Sequence, residues 1–180
     1  RVYARERGQS FPETDGMITD VPGICLVTSY ADCVPLYFVD PVKKVIGLSH
    51  SGWRGTVGKI GKVTVEKMEE EFGCDPADIL GAVGPSICQD CYEVSEDVIK
   101  KFRENYDENL WPEIFYQKEN GKYQLNLWKA NESVFLESGI LPEHIAVTNV
   151  CTHCNPDILF SHRTTGNERG TLSAFLALKK

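Results

Sequence analysis

The stretch ADCVPLYFVDPVKKVIGLSHSGWRG, residues 31–55, contains the two short apolar runs that decide the fold. Val34–Val39 and Val42–Leu48 are rich in strand-forming residues, and the Asp40-Pro41 pair between them is typical of a turn. The pattern therefore predicts two adjacent antiparallel strands joined by that turn, with the residues that flank them meeting at the far end.

A cysteine and a histidine lie at that far end. Cys33 precedes the first run and His50 follows the second, so pairing brings both to one edge of the sheet. Thiolate and imidazole are preferred zinc ligands, and a catalytic zinc uses three protein ligands and keeps one open position. We predict Cys33 and His50 as two of the three. Taken alone, Cys33 could instead be a buried apolar thiol, and His50 could be a structural histidine.

A possible anion site follows directly. Gly52 and Gly55 bracket Trp53-Arg54, and the apolar spacing after them predicts a helix from about Thr56 to Phe72. Free N–H groups at a helix N-terminus and a neighbouring arginine both attract anions. We therefore expect Arg54 to face a phosphate or a carboxylate.

Composition limits the class of protein. The 180 residues are 42% hydrophobic and carry a net charge of -7, which suits one domain spanning residues 1–180 and a small-molecule partner. The charge gives no reason to bind nucleic acid or an acidic membrane, and no apolar stretch approaches the ~20 residues of a membrane span. Seven cysteines, an odd number, favour a reducing, cytoplasmic location. Oligomeric state is left open.

The rest of the chain mixes strand and helix patterns without strict alternation. This favours an α+β fold over a doubly wound sheet. The predicted strands are a remnant at Arg1–Arg5, then Met17–Thr19, Ile24–Tyr30, Ile79–Val83, Ile145–Val150 and Thr171–Leu178. The predicted helices after Phe72 are one capped by Ser95 that runs to about Tyr106, and Asn126–Ser138. The segment between them, Leu110–Tyr123, is irregular.

Two C-x-x-C pairs, Cys88 with Cys91 and Cys151 with Cys154, raise a second metal hypothesis. Two such pairs can form a structural zinc site. However, the ~60 residues between them far exceed the usual ~15–20 of a compact zinc motif. The spacing therefore disfavours a four-cysteine site.

Four motifs together resemble a known family. ADCVPL, SHSGWRG, GPSICQDCYEV and CTHCNPDILFSHRTTGNERG occur in order and are similar to the signatures of the YfiH or laccase-domain proteins, also called the polyphenol oxidase family. The resemblance runs from Asp15 to the C-terminus. It implies a layered α/β sandwich with a mixed, largely antiparallel sheet.

The resemblance also implies an activity. It indicates zinc-dependent phosphorolysis of adenosine, inosine, guanosine and methylthioadenosine, with adenosine deamination in the same pocket. Cys33 and His50 would hold zinc and Arg54 would bind phosphate, while Asp32 would orient water or a ribose hydroxyl. In the matching Phe-x-Ser-x-Arg pattern, Ser161 and Arg163 would bind substrate, although Arg163 is equally explained as a solvated loop residue.

One family feature is missing. Such proteins usually carry a Gln-x-His-Gly segment just before the position of Arg1, and its histidine is a metal ligand. We expect a truncated or partly disordered N-terminal segment to account for this. His153 or Cys91 are substitutes for which no spacing argument exists.

Three other functions stay open. A multicopper polyphenol oxidase needs more imidazoles than four histidines supply, so copper is disfavoured. A cysteine hydrolase would use Cys33 as nucleophile and His50 as base. It predicts a thiolate with a low pKa, whereas a zinc-bound Cys33 is protected from alkylation. A binding module without catalysis is the third.

Overall fold

The computed structural model describes residues 2–3, 6 and 8–179, and this part of the chain forms ten strands and six α-helices. The strands are β1 Gly16–Thr19, β2 Cys25–Tyr30, β3 Val34–Asp40, β4 Val45–Ser51, β5 Leu80–Val83, β6 Glu93–Val94, β7 Phe115–Gln117, β8 Tyr123–Leu125, β9 Ile145–Val147 and β10 Leu172–Ala177. The helices are α1 Trp53–Val57, α2 Ile60–Phe72, α3 Glu96–Asn105, α4 Trp111–Ile114, α5 Leu127–Glu137 and α6 His162–Thr165. The strand predicted for Arg1–Arg5 falls mostly on residues outside this description.

The central sheet has the strand order β1-β4-β3-β5-β9. Its first four strands are antiparallel to their neighbours, and β9 alone runs parallel to its partner β5. A pair formed by β2 and β10 and a small three-stranded sheet, β6-β8-β7, complete the architecture. The predicted α+β fold with a mixed, largely antiparallel sheet is confirmed.

Alternation along β3 divides the interior into two cores. Val34, Leu36 and Phe38 face the larger core, which also contains buried residues of α2 and α5. Tyr37 and Val39 point the other way, into a smaller cluster shared with β2 and β10. Because successive strand residues face opposite sides of a sheet, the central sheet is packed on both faces, as a layered sandwich requires.

The turn between β3 and β4 is longer than its sequence suggested. The Asp40 carboxylate accepts hydrogen bonds from the N–H groups of Val42 and Lys43, both at 2.8 Å. Lys44 then adopts a left-handed conformation with φ of 56°. The prediction that the second strand begins at Val42 is therefore wrong, since these bonds hold the chain in a turn until Val45.

The predicted helix over 56–72 is two helices. Lys59 has φ of 52° and lies between α1 and α2, so the chain changes direction where the apolar spacing suggested continuity. The first helix begins at Trp53, earlier than predicted. As a consequence Arg54 lies within the first turn of α1 rather than before a helix.

Two further local predictions need correction. The irregular segment 110–123 contains α4 and β7 and leads into β8, elements too short for a period to reveal. Ser95 does occupy the N-cap position of α3, but its hydroxyl donates to the Asp97 carboxylate and accepts no backbone N–H.

Among the described helices, none has both the length and the apolar character needed to cross a membrane.

A buried polar group ties the helices to the strand that leads to His50. Asn131, in α5, accepts a hydrogen bond from the Ser51 hydroxyl at 2.9 Å and donates to the Thr56 hydroxyl at 3.2 Å and to the Leu127 carbonyl at 2.8 Å. Its exposed fraction is 1%. The network fixes the end of β4 against α1 and α5.

Replacing Asn131 with alanine should therefore destabilise the fold by about 2 kcal/mol, because buried donors and acceptors lose their partner. Urea denaturation would measure the free energy of unfolding. Leu136→Ala, at an exposed position of the same helix, is the matched control and should change it by less than about 0.5 kcal/mol. Equal effects of the two substitutions would contradict the assignment.

Candidate functional site

The register of β3 and β4 brings the predicted zinc ligands together. Val34 lies opposite Ser51 and Pro35 opposite His50, so Cys33 and His50 occupy the same end of the strand pair, as predicted. Both line one cavity of about 320 Å³. A concave site of this size suits a small-molecule ligand.

Aromatic and basic side chains form the other walls of this cavity. Trp53 and Arg54 come from α1, Tyr92 from the loop before β6, and His162 and Arg163 from α6. The remaining lining residues are Asp15, Ala31, Asp32, Gly52, Gly55, Ile87 and Leu127. Segments distant in sequence therefore meet around one space.

His50 is held in a defined orientation. Its backbone N–H donates to the Asp15 carbonyl at 2.6 Å, and its Nδ1 lies 3.3 Å from Asp15 Oδ1. The Tyr30 ring packs edge-on against the imidazole with centroids 5.2 Å apart. A carboxylate on one ring nitrogen fixes the tautomer and leaves Nε2 for a ligand, an arrangement typical of metal-binding histidines.

Cys33 is a half-buried thiol. Burial raises its pKa, and the negative charge of Asp32 raises it further. A Cβ atom at position 52 would lie 3.1 Å from the Cys33 sulfur, so Gly52 leaves room for it. A thiol with a raised pKa is a poor nucleophile, which counts against the cysteine hydrolase. A metal would have to displace its proton.

Arg54 is exposed on the first turn of α1. Its guanidinium carbon lies 4.3 Å from the centroid of the Trp53 ring, which holds the charge at the cavity wall. The N-cap residue Gly52 has no side chain to cap the helix. The predicted anion-binding role stays a prediction, and its geometric requirement, a cation on the cavity wall, is met.

Asp32 has structural partners that its sequence position did not suggest. Its buried carboxylate accepts hydrogen bonds from the Thr152 hydroxyl at 2.6 Å and from the Arg163 N–H at 2.7 Å. Its carbonyl accepts from the Ile87 N–H at 3.1 Å. The residue has φ of 79°, a left-handed conformation that Asp tolerates better than most residues. Asp32 therefore joins three loops around the cavity.

The two residues of the Phe-x-Ser-x-Arg pattern are placed differently. Arg163 lines the cavity, with its guanidinium carbon 5.2 Å from the centroid of the Tyr92 ring. Ser161 is buried at the N-cap of α6, where its hydroxyl accepts from the Thr164 N–H at 3.3 Å, and it is not among the residues that line the cavity. Burial raises the pKa of Tyr92 to about 12, so its phenol is neutral and can donate.

His162 is a potential metal ligand on the cavity wall that the sequence analysis did not identify. The suggested substitutes for a third ligand lie elsewhere, since His153 bonds the Thr164 hydroxyl at 2.9 Å and Cys91 belongs to another cluster. The ligand atoms of Cys33, His50 and His162 do not all lie within 4.8 Å of one another. The described part of the cavity thus carries one thiol and two imidazoles on its walls, but they do not form a compact group of three ligands.

The two C-x-x-C pairs lie next to each other in the structure, although their spacing in the sequence disfavoured a four-cysteine site. The sulfur atoms of Cys88, Cys91, Cys151 and Cys154 all lie within 4.8 Å of one another, so the four could bind a metal. Among the described residues this is the one such group of three or more potential ligands. The spacing argument that disfavoured a four-cysteine site therefore fails, because separation along the chain does not set the distance between loops that follow neighbouring strands.

The fold and the cavity together define an α+β protein with an enzyme-like site for a small molecule. The chain belongs to the multi-copper polyphenol oxidoreductase laccase family, whose sequence profile matches residues 1–179. This confirms the resemblance inferred from the four motifs.

Relatives with curated names include two kinds of enzyme. The chain is 36% identical over 178 residues to purine nucleoside phosphorylase YlmD of Bacillus subtilis strain 168, covering 98% of this chain and 63% of that protein. It is 35% identical over 165 residues to adenosine deaminase RL5 from an unknown prokaryotic organism, covering 92% and 62%. The crystal structure of Bacillus licheniformis hypothetical protein YfiH superimposes with a TM-score of 0.88 at 37% identity, covering 92% and 62%. The chain thus spans less than two thirds of the length of these relatives.

Proposed function

We propose that this chain forms the active-site cavity of a zinc-dependent purine nucleoside phosphorylase that also deaminates adenosine. The observation that carries the proposal is the convergence of Cys33, His50, Arg54 and Arg163 on one cavity. The names of the relatives, a phosphorylase and a deaminase, support both reactions. The same site would accept adenosine, inosine, guanosine and methylthioadenosine.

Arg54 would bind the phosphate that attacks C1′ of the ribose. The reaction joins phosphate to C1′ and breaks the bond to the purine nitrogen, which yields ribose 1-phosphate and the free base. Because Arg54 is exposed at the mouth and held over Trp53, it can reach an anion entering from solvent. A guanidinium makes two parallel hydrogen bonds to phosphate, which fixes the nucleophile in place.

The purine and the ribose would occupy the space between the two arginines. Trp53 and Tyr92 present ring surface for an apolar base, and the neutral Tyr92 phenol can donate a hydrogen bond. Arg163 lies over the Tyr92 ring and faces the same cavity. We propose that it contacts a hydroxyl-rich part of the nucleoside, with Ser161 supporting its loop from the N-cap of α6.

Cys33 and His50 would hold the zinc. A thiolate and an imidazole whose other nitrogen faces Asp15 form a donor pair suited to zinc. We propose the histidine of the Gln-x-His-Gly segment, which such proteins usually carry, as the third ligand. When bound, zinc supplies a Lewis acid that activates water for attack on C6 of adenine. Asp32 would orient groups beside the metal indirectly, through the loops that it joins.

Two alternatives fit less well. His50 and His162 are the two of the four histidines that line the cavity, too few imidazoles for a blue copper and a trinuclear cluster, and with Cys33 they do not form a compact ligand group. The cysteine hydrolase conflicts with the raised pKa of Cys33.

A cytoplasmic location stays part of the proposal, supported by seven cysteines that are all unpaired.

The test is to incubate the protein and adenosine with and without inorganic phosphate and zinc, and to separate the products by chromatography. With zinc present, we expect adenine and ribose 1-phosphate only when phosphate is added, and inosine with or without phosphate. Arg54→Met should reduce the phosphate-dependent products about 10- to 100-fold, the value of a charge-assisted hydrogen bond, and spare inosine formation. Base release without phosphate, or no turnover of any nucleoside, would overturn the proposal.

A further inference from the structure

The four-cysteine cluster, formed by Cys88, Cys91, Cys151 and Cys154, lies outside the cavity just described. None of the four lines it. Their sulfur atoms lie within 4.8 Å of one another, and those of Cys91 and Cys154 are 3.5 Å apart. A disulfide would require about 2.05 Å, and all four cysteines are unpaired. The group is therefore an assembly of free thiols.

The sheet explains why the two pairs meet. Strands β5 and β9 are parallel neighbours, so the loops that follow them leave the sheet at the same edge. An isolated parallel bridge between Ser86 and Cys151 continues this pairing, and the Thr152 N–H donates to the Ser86 carbonyl at 3.2 Å. Each C-x-x-C motif begins within a few residues of its strand end, so the backbone itself fixes their separation.

We propose that this cluster is a structural zinc site. Four thiolates at about 2.3 Å from a tetrahedral zinc have sulfur atoms about 3.8 Å apart, close to the spread observed. The N–H groups of Cys88 and Cys154 already donate to the Cys151 sulfur, at 3.3 and 3.4 Å. Such bonds stabilise a thiolate. Binding one zinc displaces the thiol protons and changes no oxidation state.

A closed four-thiolate site leaves no open position for water, so its role is structural. It would fasten the loop that carries Ile87 and Tyr92 to the loop that carries Thr152. Ile87 and Tyr92 line the cavity, and Thr152 donates to Asp32. The metal would therefore hold two walls of the cavity together without contacting the substrate.

The proposal is tested by metal content, which does not depend on any activity. The protein is expressed with zinc, purified under reducing conditions and analysed by mass spectrometry for zinc per chain. We expect Cys33→Ser, which removes a donor from the cavity, to retain about one tightly bound zinc. The double variant Cys91→Ser with Cys154→Ser should lose that zinc. Cys25→Ser, at an exposed position in β2, is the matched control and should match the wild-type protein.

Cobalt provides a second readout. Replacing zinc with cobalt should give the strong charge-transfer absorption of a tetrahedral cobalt thiolate, present in Cys33→Ser. Should the double variant fail to fold, Cys154→His keeps a ligand and should retain the metal with a weaker thiolate band. Metal content unchanged in the double variant, absence of metal from Cys33→Ser, or a disulfide linking Cys91 and Cys154 in freshly purified protein would each overturn the proposal.

Discussion

Cys33→Ala should lower kcat/KM for both phosphorolysis and deamination of adenosine by about 10³-fold, the effect of losing several kcal/mol of metal-dependent stabilisation. The thiol is half-buried beside Gly52 and has no hydrogen-bond partner among the described residues, so its removal should leave the structure intact. The expected defect is therefore in the chemistry. Steady-state kinetics with each product measured separately would show it, and circular dichroism would verify folding.

The controls separate the metal role of Cys33 from a nucleophilic one. Cys25→Ala, an exposed cysteine of β2, should keep full activity. In wild-type protein loaded with zinc, iodoacetamide should modify Cys33 only after a chelator is added, because a metal-bound thiolate is protected. Rapid modification in the presence of zinc, with inactivation at the same rate, would instead favour the hydrolase. Retention of both activities in Cys33→Ala would contradict a site centred on this residue.

The sequence revealed those parts of the site whose position depends on the pairing of two adjacent strands. Cys33 and His50 flank two strands joined by one turn, so a residue pattern and a turn signal suffice to bring them together. The apolar run Val34–Val39 likewise identified the strand β3. The errors in this region were at the boundaries, where the Asp40 side chain and the conformation of Lys59 override apolar spacing.

The parts that the sequence concealed depend on contacts between distant segments. The four-cysteine cluster requires β5 and β9 to be parallel neighbours, and no periodicity within either strand contains that information. The signal that was available is positional, since each C-x-x-C follows soon after a predicted strand. The usual spacing of ~15–20 residues between two C-x-x-C pairs holds for a compact zinc motif. It does not apply to pairs that follow adjacent strand ends.

The hydrogen-bond partners of Asp32 were concealed for the same reason, and they give the second large expected effect. Asp32→Ala should reduce the free energy of unfolding by about 3–4 kcal/mol. Two hydrogen bonds to a buried carboxylate are lost, each worth about 1.5–3 kcal/mol in the folded protein, with partial relaxation of the donors. Alanine also tolerates the φ of 79° poorly. Urea denaturation would measure the loss, and Asp157→Ala, at an exposed position, should be nearly neutral.

Thr152→Val distinguishes positioning by Asp32 from direct participation in the reaction. It removes one donor to the carboxylate, the hydroxyl at 2.6 Å, and leaves Asp32 in place. If Asp32 acts by joining the loops around the cavity, Asp32→Asn should lower stability and raise KM for the nucleoside. Thr152→Val should then do the same to a smaller extent, lowering stability by about 1–2 kcal/mol. If instead Asp32 contacts water or the ribose, Asp32→Asn should lower kcat while Thr152→Val leaves kcat unchanged. Because the structure has both carboxylate oxygens occupied by the protein's own donors, we expect the first outcome.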